Sequence, residues 1–265
     1  SQSAYMAFFN TLTDTQKGAR DVTAGVYNST GKASDAIVNR NNLSWSGSGE
    51  MTLNGGTHGG VAMNFMSWAD LAAFLDWAGL RPMSELEYEK SGRGSRGVSS
   101  PIAAVAGEYA WGSTSITGAT SISNDGLSSE RGQSGSNCAY GNSGGVQGPL
   151  RVGSFTKGVD TRIASGGGFY GVMELSGNVW ERAVTVGNST GLLFEGRYHG
   201  NGVLDTNGDA NVTSWPGTNA VGAGLRGGVW TASASYEQLS ARHHAADTFT
   251  IRALDFGGRG VRSAP

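Results

Sequence analysis

The chain has a single cysteine, Cys138, in 265 residues. An intramolecular disulfide is therefore excluded, and so is a zinc site built on cysteines. Proline is scarce, five in all, and charged side chains make up only 15% of the chain. Nineteen basic against 21 acidic residues leave a net charge of −2. That balance argues against a nucleic-acid footprint or a basic membrane-seeking face. No apolar run approaches the roughly 18 residues of a membrane span, so membrane insertion is not expected. The chain begins at Ser1 without a signal-peptide pattern, which leaves the native start and the compartment open.

What is abundant is glycine, 44 residues, against roughly 7% in an average protein. No Gly-X-Y period accompanies it, and seven Trp, eight Tyr and nine Phe are spread along the chain. Collagen-like and disordered chains are excluded by that pairing. A loop-rich domain remains, with glycine serving turns and close backbone approaches.

Tyr5, Phe8, Phe9 and Leu12 recur at helical spacing and predict a helix over 4–17. Residues 20–60 are polar, with short strands expected at Val26 and at Ile37–Val38. A second helix is expected where Ser67 caps and Asp70 stands three residues on. Leu71, Phe74, Leu75 and Ala78 give its face, and Gly79 ends it. Ser84 and Glu87 form another capping box before a short helix to Lys90, broken by Gly92 and Gly94. Residues 94–170 read as irregular structure pinned by aromatics such as Tyr109–Trp111 and Val152–Phe155. Short strands are expected at 171–173, 178–186, 225–235 and 258–262. No repeat and no linker divides the chain, so residues 1–265 are read as one domain.

Six strings stand in order: Asn64-Phe-Met-Ser-Trp68, Gly79-Leu-Arg-Pro-Met-Ser-Glu-Leu-Glu-Tyr-Glu89, Glu108-Tyr-Ala-Trp-Gly112, Val152-Gly-Ser-Phe155, Gly171-Val-Met-Glu-Leu-Ser-Gly-Asn-Val-Trp-Glu181 and Leu225-Arg-Gly-Gly-Val-Trp230. Together, over residues 4–262, they resemble the formylglycine-generating-enzyme (sulfatase-modifying factor) domain, a subclass of the C-type lectin fold. The resemblance implies an α+β fold, with two helices flanking small twisted antiparallel sheets and long irregular loops. Trp68, Trp77, Trp111 and Trp180 are expected in its core.

The resembled oxidase works through a cysteine pair near its C-terminus, and residues 240–261 contain no cysteine. Formylglycine generation is therefore rejected, and no catalytic residue is assigned. Cys138 lacks a recognisable base and reads as a small buried side chain. His58, His199, His243 and His244 lack metal-ligand spacing. Glu85, Glu87 and Glu89 read as a helix start that favours carboxylates. No G-x-S-x-G elbow, P-loop or H-E-x-x-H string occurs.

The resemblance further implies a structural calcium ion held by the side chains of Glu174 and Glu181 and the carbonyls of Gly177 and Val179. A second family site is not expected, because Gly144 falls where its carboxylate would be. Asp205-Thr-Asn-Gly-Asp209 looks calcium-like but fails the EF-hand pattern and reads as a turn.

Arg226-Gly-Gly-Val-Trp230 and Gly257-Gly-Arg-Gly-Val261 are similar to the closing segment of variable proteins of diversity-generating retroelements. That likeness implies a variable ligand-binding segment at 226–262, a protein or glycan ligand on a cell surface, and a virion or cell-surface setting. Thr231, Ser233 and Ser235 alternate and are expected on one face of a strand. With Tyr236, Glu237, His243, His244, Thr248, Thr250, Leu254, Asp255 and Phe256 they form the expected binding set, anchored by Tyr236, His243, His244 and Phe256. The same stretch also reads as an irregular loop. An enzyme site near Cys138, Tyr140 or His199 and a plain structural module of a surface assembly stay open as alternatives.

Overall fold

The structure is a computed structural model that describes residues 1–24, 31–94, 104–141, 146–156 and 158–263. The fold is mixed α+β, with short helices, small sheets and long irregular connections.

The first apolar stripe forms two helices rather than one. α1 spans Gln2–Asn10 and α2 spans Asp14–Arg20. The break at Thr11–Thr13 has a local cause: Thr13 opens α2 with a capping box in which its side chain and that of Gln16 exchange bonds with backbone amides. Tyr5, Phe8 and Phe9 are buried as the spacing requires. β1 (Leu43–Ser44) pairs antiparallel with β2 (Thr52–Leu53). Val38 makes an isolated bridge to Asn41 rather than a strand. Val26 and Gly144 lie outside the described residues.

α3 (Trp68–Trp77) starts at the expected Ser67–Asp70 capping box, and Gly79 follows its end with φ +65°. Trp68, Trp111 and Trp180 are buried. Trp77 is only partly so, packing against Phe8 and Phe74. β3 (Arg81–Pro82) leads into α4 (Glu85–Arg93), which opens with the Ser84–Glu87 box but continues past Lys90. Gly92 lies inside it because a Cβ there would sit 2.5 Å from Leu239. Close packing, not a helix stop, explains that glycine.

β4 (Ile122–Ser123) and β5 (Arg131–Gly132) form a small hairpin pair, and α5 (Arg162–Ser165) is one turn. Residues 171–173 form no strand; Gly168 donates to the Val172 carbonyl across a tight turn instead. β6 (Trp180–Val184) is buried along its whole length. After α6 (Ser189–Leu192), β7 (Ala223–Arg226) pairs antiparallel with β6, and β8 (Phe256–Gly257) pairs parallel on its other edge. β9 (Gly260–Val261) returns to β3. The strand expected over 225–235 stops at Arg226, because Gly227 and Gly228 adopt φ +95° and +74° and turn the chain away.

Candidate functional site

β6 lies at the centre of the three-stranded sheet, and the long excursion between β7 and β8 folds back over one end of it. That excursion, residues 227–255, carries most of the expected binding set. Thr231, Ser233 and Ser235 lie in turns rather than a strand, yet all three are exposed while Ala232, Ala234 and Tyr236 between and after them are half-buried. The Ser233 and Ser235 hydroxyls lie 3.1 Å apart.

The rings converge. Tyr236 lies 4.5 Å from the His243 ring and 6.0 Å from His244, parallel to the latter within 12°. The edge of Trp180 meets both Tyr236 and His244, at 6.1 and 5.3 Å between centroids. His244 then leads to Phe249 at 6.1 Å, and Phe249 to Phe256 at 5.8 Å. Six rings from β6, the excursion and β8 thus form one patch. The His244 Nδ1 is 2.7 Å from Asp247 Oδ2, which orients its imidazole.

Two members of the expected set do not face solvent. Glu237 is 0% exposed. Its Oε1 accepts from the Val229 amide at 3.1 Å, and Oε2 fills the space where a side chain at Gly228 would be. Burial pushes its carboxyl well above the usual range. Phe256 is buried in β8 beneath Phe249, with the Arg182 guanidinium 4.9 Å from its ring. Both are supports rather than contact residues. Asp255 is half-buried, its acidity weakened by burial, and its carbonyl accepts from the Trp180 amide. Thr248, Thr250 and Leu254 are exposed.

Phe249, 37% exposed, and Trp180 complete the patch and were missed in the sequence. An aromatic between two threonines in a segment without period was the only available signal for Phe249. Trp180 reads as core, and its floor role depends on which segment folds over it.

The excursion is held largely by its own carbonyl oxygens. Arg182, almost wholly buried, donates to the carbonyls of Phe249, Ile251 and Met66 at 2.9–3.0 Å. Arg226 donates to those of Leu239 and Ala241, and the Asn64 amide to that of Leu254. Backbone amides of Phe65, Leu225 and Gly141 take the carbonyls of Ala253, His244 and Ala232. Buried ion pairs lock the tethers. Arg226 bonds Glu85 and Glu89, and Arg252 bonds both oxygens of Asp70 at 2.7 Å. Glu85 and Glu89 are therefore braces of the excursion, and Glu87 caps α4 while pairing with Arg81.

At the expected calcium position, Glu174 and Glu181 are both buried, and Glu174 has φ +52°. Arg259 bonds Glu181 Oε1 through Nε at 2.7 Å and also through Nη2. The same Nη2 reaches the carbonyls of Met173 and Glu174 at 3.0 and 3.1 Å. Glu181 Oε2 is buried without a hydrogen-bond partner among the described residues. Burial raises the Glu174 carboxyl to about 7. Gly177 donates its amide to the Gly227 carbonyl, and a Cβ there would meet Ala139 O and Cys138 Sγ at 2.5 Å. Val179 is buried beside it. Among the described residues no group of three or more His, Cys, Asp or Glu side chains converges as a metal site.

Cys138 is buried, its thiol donating to the Ser176 carbonyl at 3.2 Å, and burial pushes it far from the thiolate. His199 accepts from the Ser263 amide. Asp205–Asp209 is a turn closed by the Asp205 carboxylate on the Asn207 and Asp209 amides. No helix among the described residues is long and apolar enough to cross a membrane. No protein-family model matches the sequence, and no curated protein matches it at a significant level.

Proposed function

We propose that the chain is a non-catalytic recognition protein of C-type-lectin-like fold that displays a diversifiable surface on residues 231–254, its ligand a protein or glycan of a cell surface. One observation carries the reading: the excursion is fastened largely by main-chain carbonyls and by the buried Arg252, while the exposed hydroxyls of Thr231, Thr248 and Thr250 make no hydrogen bond with the described residues. Backbone oxygens are the same for every residue type, so the surface chemistry can change while the scaffold stays in place. The aromatic patch supplies rigid contact area at low entropic cost.

The reading contains no bound calcium. Calcium takes roughly six to eight oxygen ligands, whereas here one oxygen of the two carboxylates is already neutralised by Arg259. The four residues fit the ion poorly, and the guanidinium supplies the positive charge.

Sequencing the gene's 3′ end and downstream flank tests the diversification. The expected result is a near-copy of codons 226–262, differing chiefly at adenines, beside a reverse-transcriptase gene. A flank without such a copy leaves a binding module of fixed specificity and overturns the diversified reading.

A further inference from the structure

Three large apolar residues stand in a row at the end of α6, in Gly191-Leu-Leu-Phe194, and the core uses only one of them. Phe194 packs against the core, as Leu204 and Val212 do, while Leu192 and Leu193 are 65% and 77% exposed. Gly191 fixes that division. A Cβ there would sit 2.0 Å from the Thr185 carbonyl oxygen, so the turn is pressed against the chain leaving β6 and cannot roll the leucines inward. Tyr198 and Val203, the latter 61% exposed, follow within the same stretch. A single exposed apolar side chain is ordinary. Four between residues 192 and 203, around one groove, mark a surface that meets another molecule.

The groove has a volume of about 470 Å³, and Leu193, Glu195, Tyr198, His199, Asn211 and Val212 are among the residues that line it. Its walls are held in place from within. The two oxygens of Asp76, which is wholly buried, accept from the amides of Asn201 and Asn211 at 2.8 and 2.9 Å. Trp215 Nε1 donates to the Tyr198 carbonyl at 3.1 Å, and the Gly200 amide donates to that of Leu80 at 2.7 Å. The exposed leucines therefore sit beside a fixed frame, and little further ordering is needed for a partner to dock.

Charge and shape name the occupant. Glu195 and Arg197 form an exposed ion pair on the patch, and the Arg197 guanidinium lies 4.8 Å from the Tyr198 ring. Among the described residues that line the groove, Glu195 is the only carboxylate, and no lysine or arginine joins it. One charge of each sign leaves no surplus to attract a strongly acidic or basic partner. It is, however, what a two-fold axis requires: Glu195 meets Arg197 of the partner subunit, and the same contact repeats on the other side of the axis. The shape is self-complementary in the same sense, because projecting leucines and a concavity lie next to each other on one surface.

We infer that this patch is the interface of a two-fold symmetric dimer of the chain, in which the exposed leucines of each copy pack over the groove of the other and the Glu195–Arg197 pairs exchange across the axis. An apolar centre with a charged rim is the usual anatomy of such a contact. The pairing uses none of residues 231–254 and holds whether or not that surface is diversified. For a surface-binding protein it places two aromatic patches on one particle, which strengthens attachment through avidity.

Sedimentation equilibrium of the intact chain tests the pairing. A monomer–dimer equilibrium is expected, and the L192D/L193D double variant should weaken it by about thirtyfold or more. Both leucines are exposed, so this variant should keep the near-UV circular dichroism of the wild type. E195R and R197E should each dimerise about tenfold more weakly, because each sets like charges across the axis, and their equimolar mixture should recover the wild-type constant. Tyr236→Ala should pair as the wild type does. The inference is overturned if the chain sediments as a monomer up to roughly millimolar concentration, the result expected were a different protein to cover the patch. It is overturned equally if L192D/L193D dimerises like the wild type, if the charge-reversed mixture stays as weak as its components, or if assembly continues beyond a dimer, which a closed two-fold contact does not permit.

Discussion

Two buried glutamates show how single residues set conditions for the whole chain. Glu174 and Glu237 both have carboxyls raised by desolvation, Glu174 to about 7. A raised carboxyl binds a proton in the folded state that the unfolded chain releases. The stabilising protonated form is therefore fully present below the unfolded value, and its contribution is lost as pH rises through the folded one. For Glu174 this means stability falling between about 4.5 and about 7, by roughly 3 kcal/mol in total. Glu174→Gln should flatten that part of a urea-denaturation pH profile and be the more stable form at pH 8. A parallel pair of profiles for wild type and variant would refute the assignment. Glu237→Gln should behave with the same sign, because the amide oxygen keeps the Val229 bond.

Among the elements, the excursion between β7 and β8 depends most on a single framework side chain. Arg182 projects from the buried strand β6 and spans from Met66 to Phe249 and Ile251. Burial lowers its basicity to about 10, with Asp70 and Asp255 acting in the opposite direction. No carboxylate among the described residues bonds it directly; three carbonyls and the Phe256 ring receive it. Arg182→Met should cost about 2–4 kcal/mol, since it leaves buried carbonyls unsatisfied. Denaturant titration would measure that loss, and hydrogen exchange should show its largest acceleration over residues 249–252. Uniform acceleration along the chain would mean that Arg182 supports the sheet as a whole rather than the displayed segment.

For the molecule as a whole, surface and support should separate cleanly under mutation. Thr231→Tyr, Ser233→Asn, Ser235→Asp and Thr248→Arg combined should shift stability by less than about 2 kcal/mol, because exposed substitutions each count for roughly 0.5. Phe256→Ala alone should exceed about 3 kcal/mol, because it empties the space of a buried aromatic side chain. Differential scanning calorimetry would rank the two, and the opposite order would dissolve the division between displayed and supporting residues. Thermal unfolding in calcium and in EGTA should agree within about 1 °C if Arg259 is the charge partner of Glu181, since only a ligand of the folded state moves the midpoint. A rise of several degrees in calcium would reinstate the ion.

Much of the local structure was legible in the order of residues. The Ser67–Asp70 and Ser84–Glu87 boxes and the Asp205–Asp209 turn all formed as their spacing required. Each is closed by atoms three or four residues apart, so neighbours along the chain suffice to specify it. The rings of Tyr236, His243 and His244 could likewise be picked out by residue type. The meeting of Tyr236 and His244 on Trp180, the burial of Glu237 and Phe256, and the split of the first helix's stripe into two could not. The bonds that arrange the surface link Arg182 to Phe249 across 67 residues and Arg252 to Asp70 across 182. Such partners are selected by burial, because a charge or carbonyl removed from water must bond whatever packing brings within reach. Chain order specifies the short contacts; only the folded core chooses the long ones.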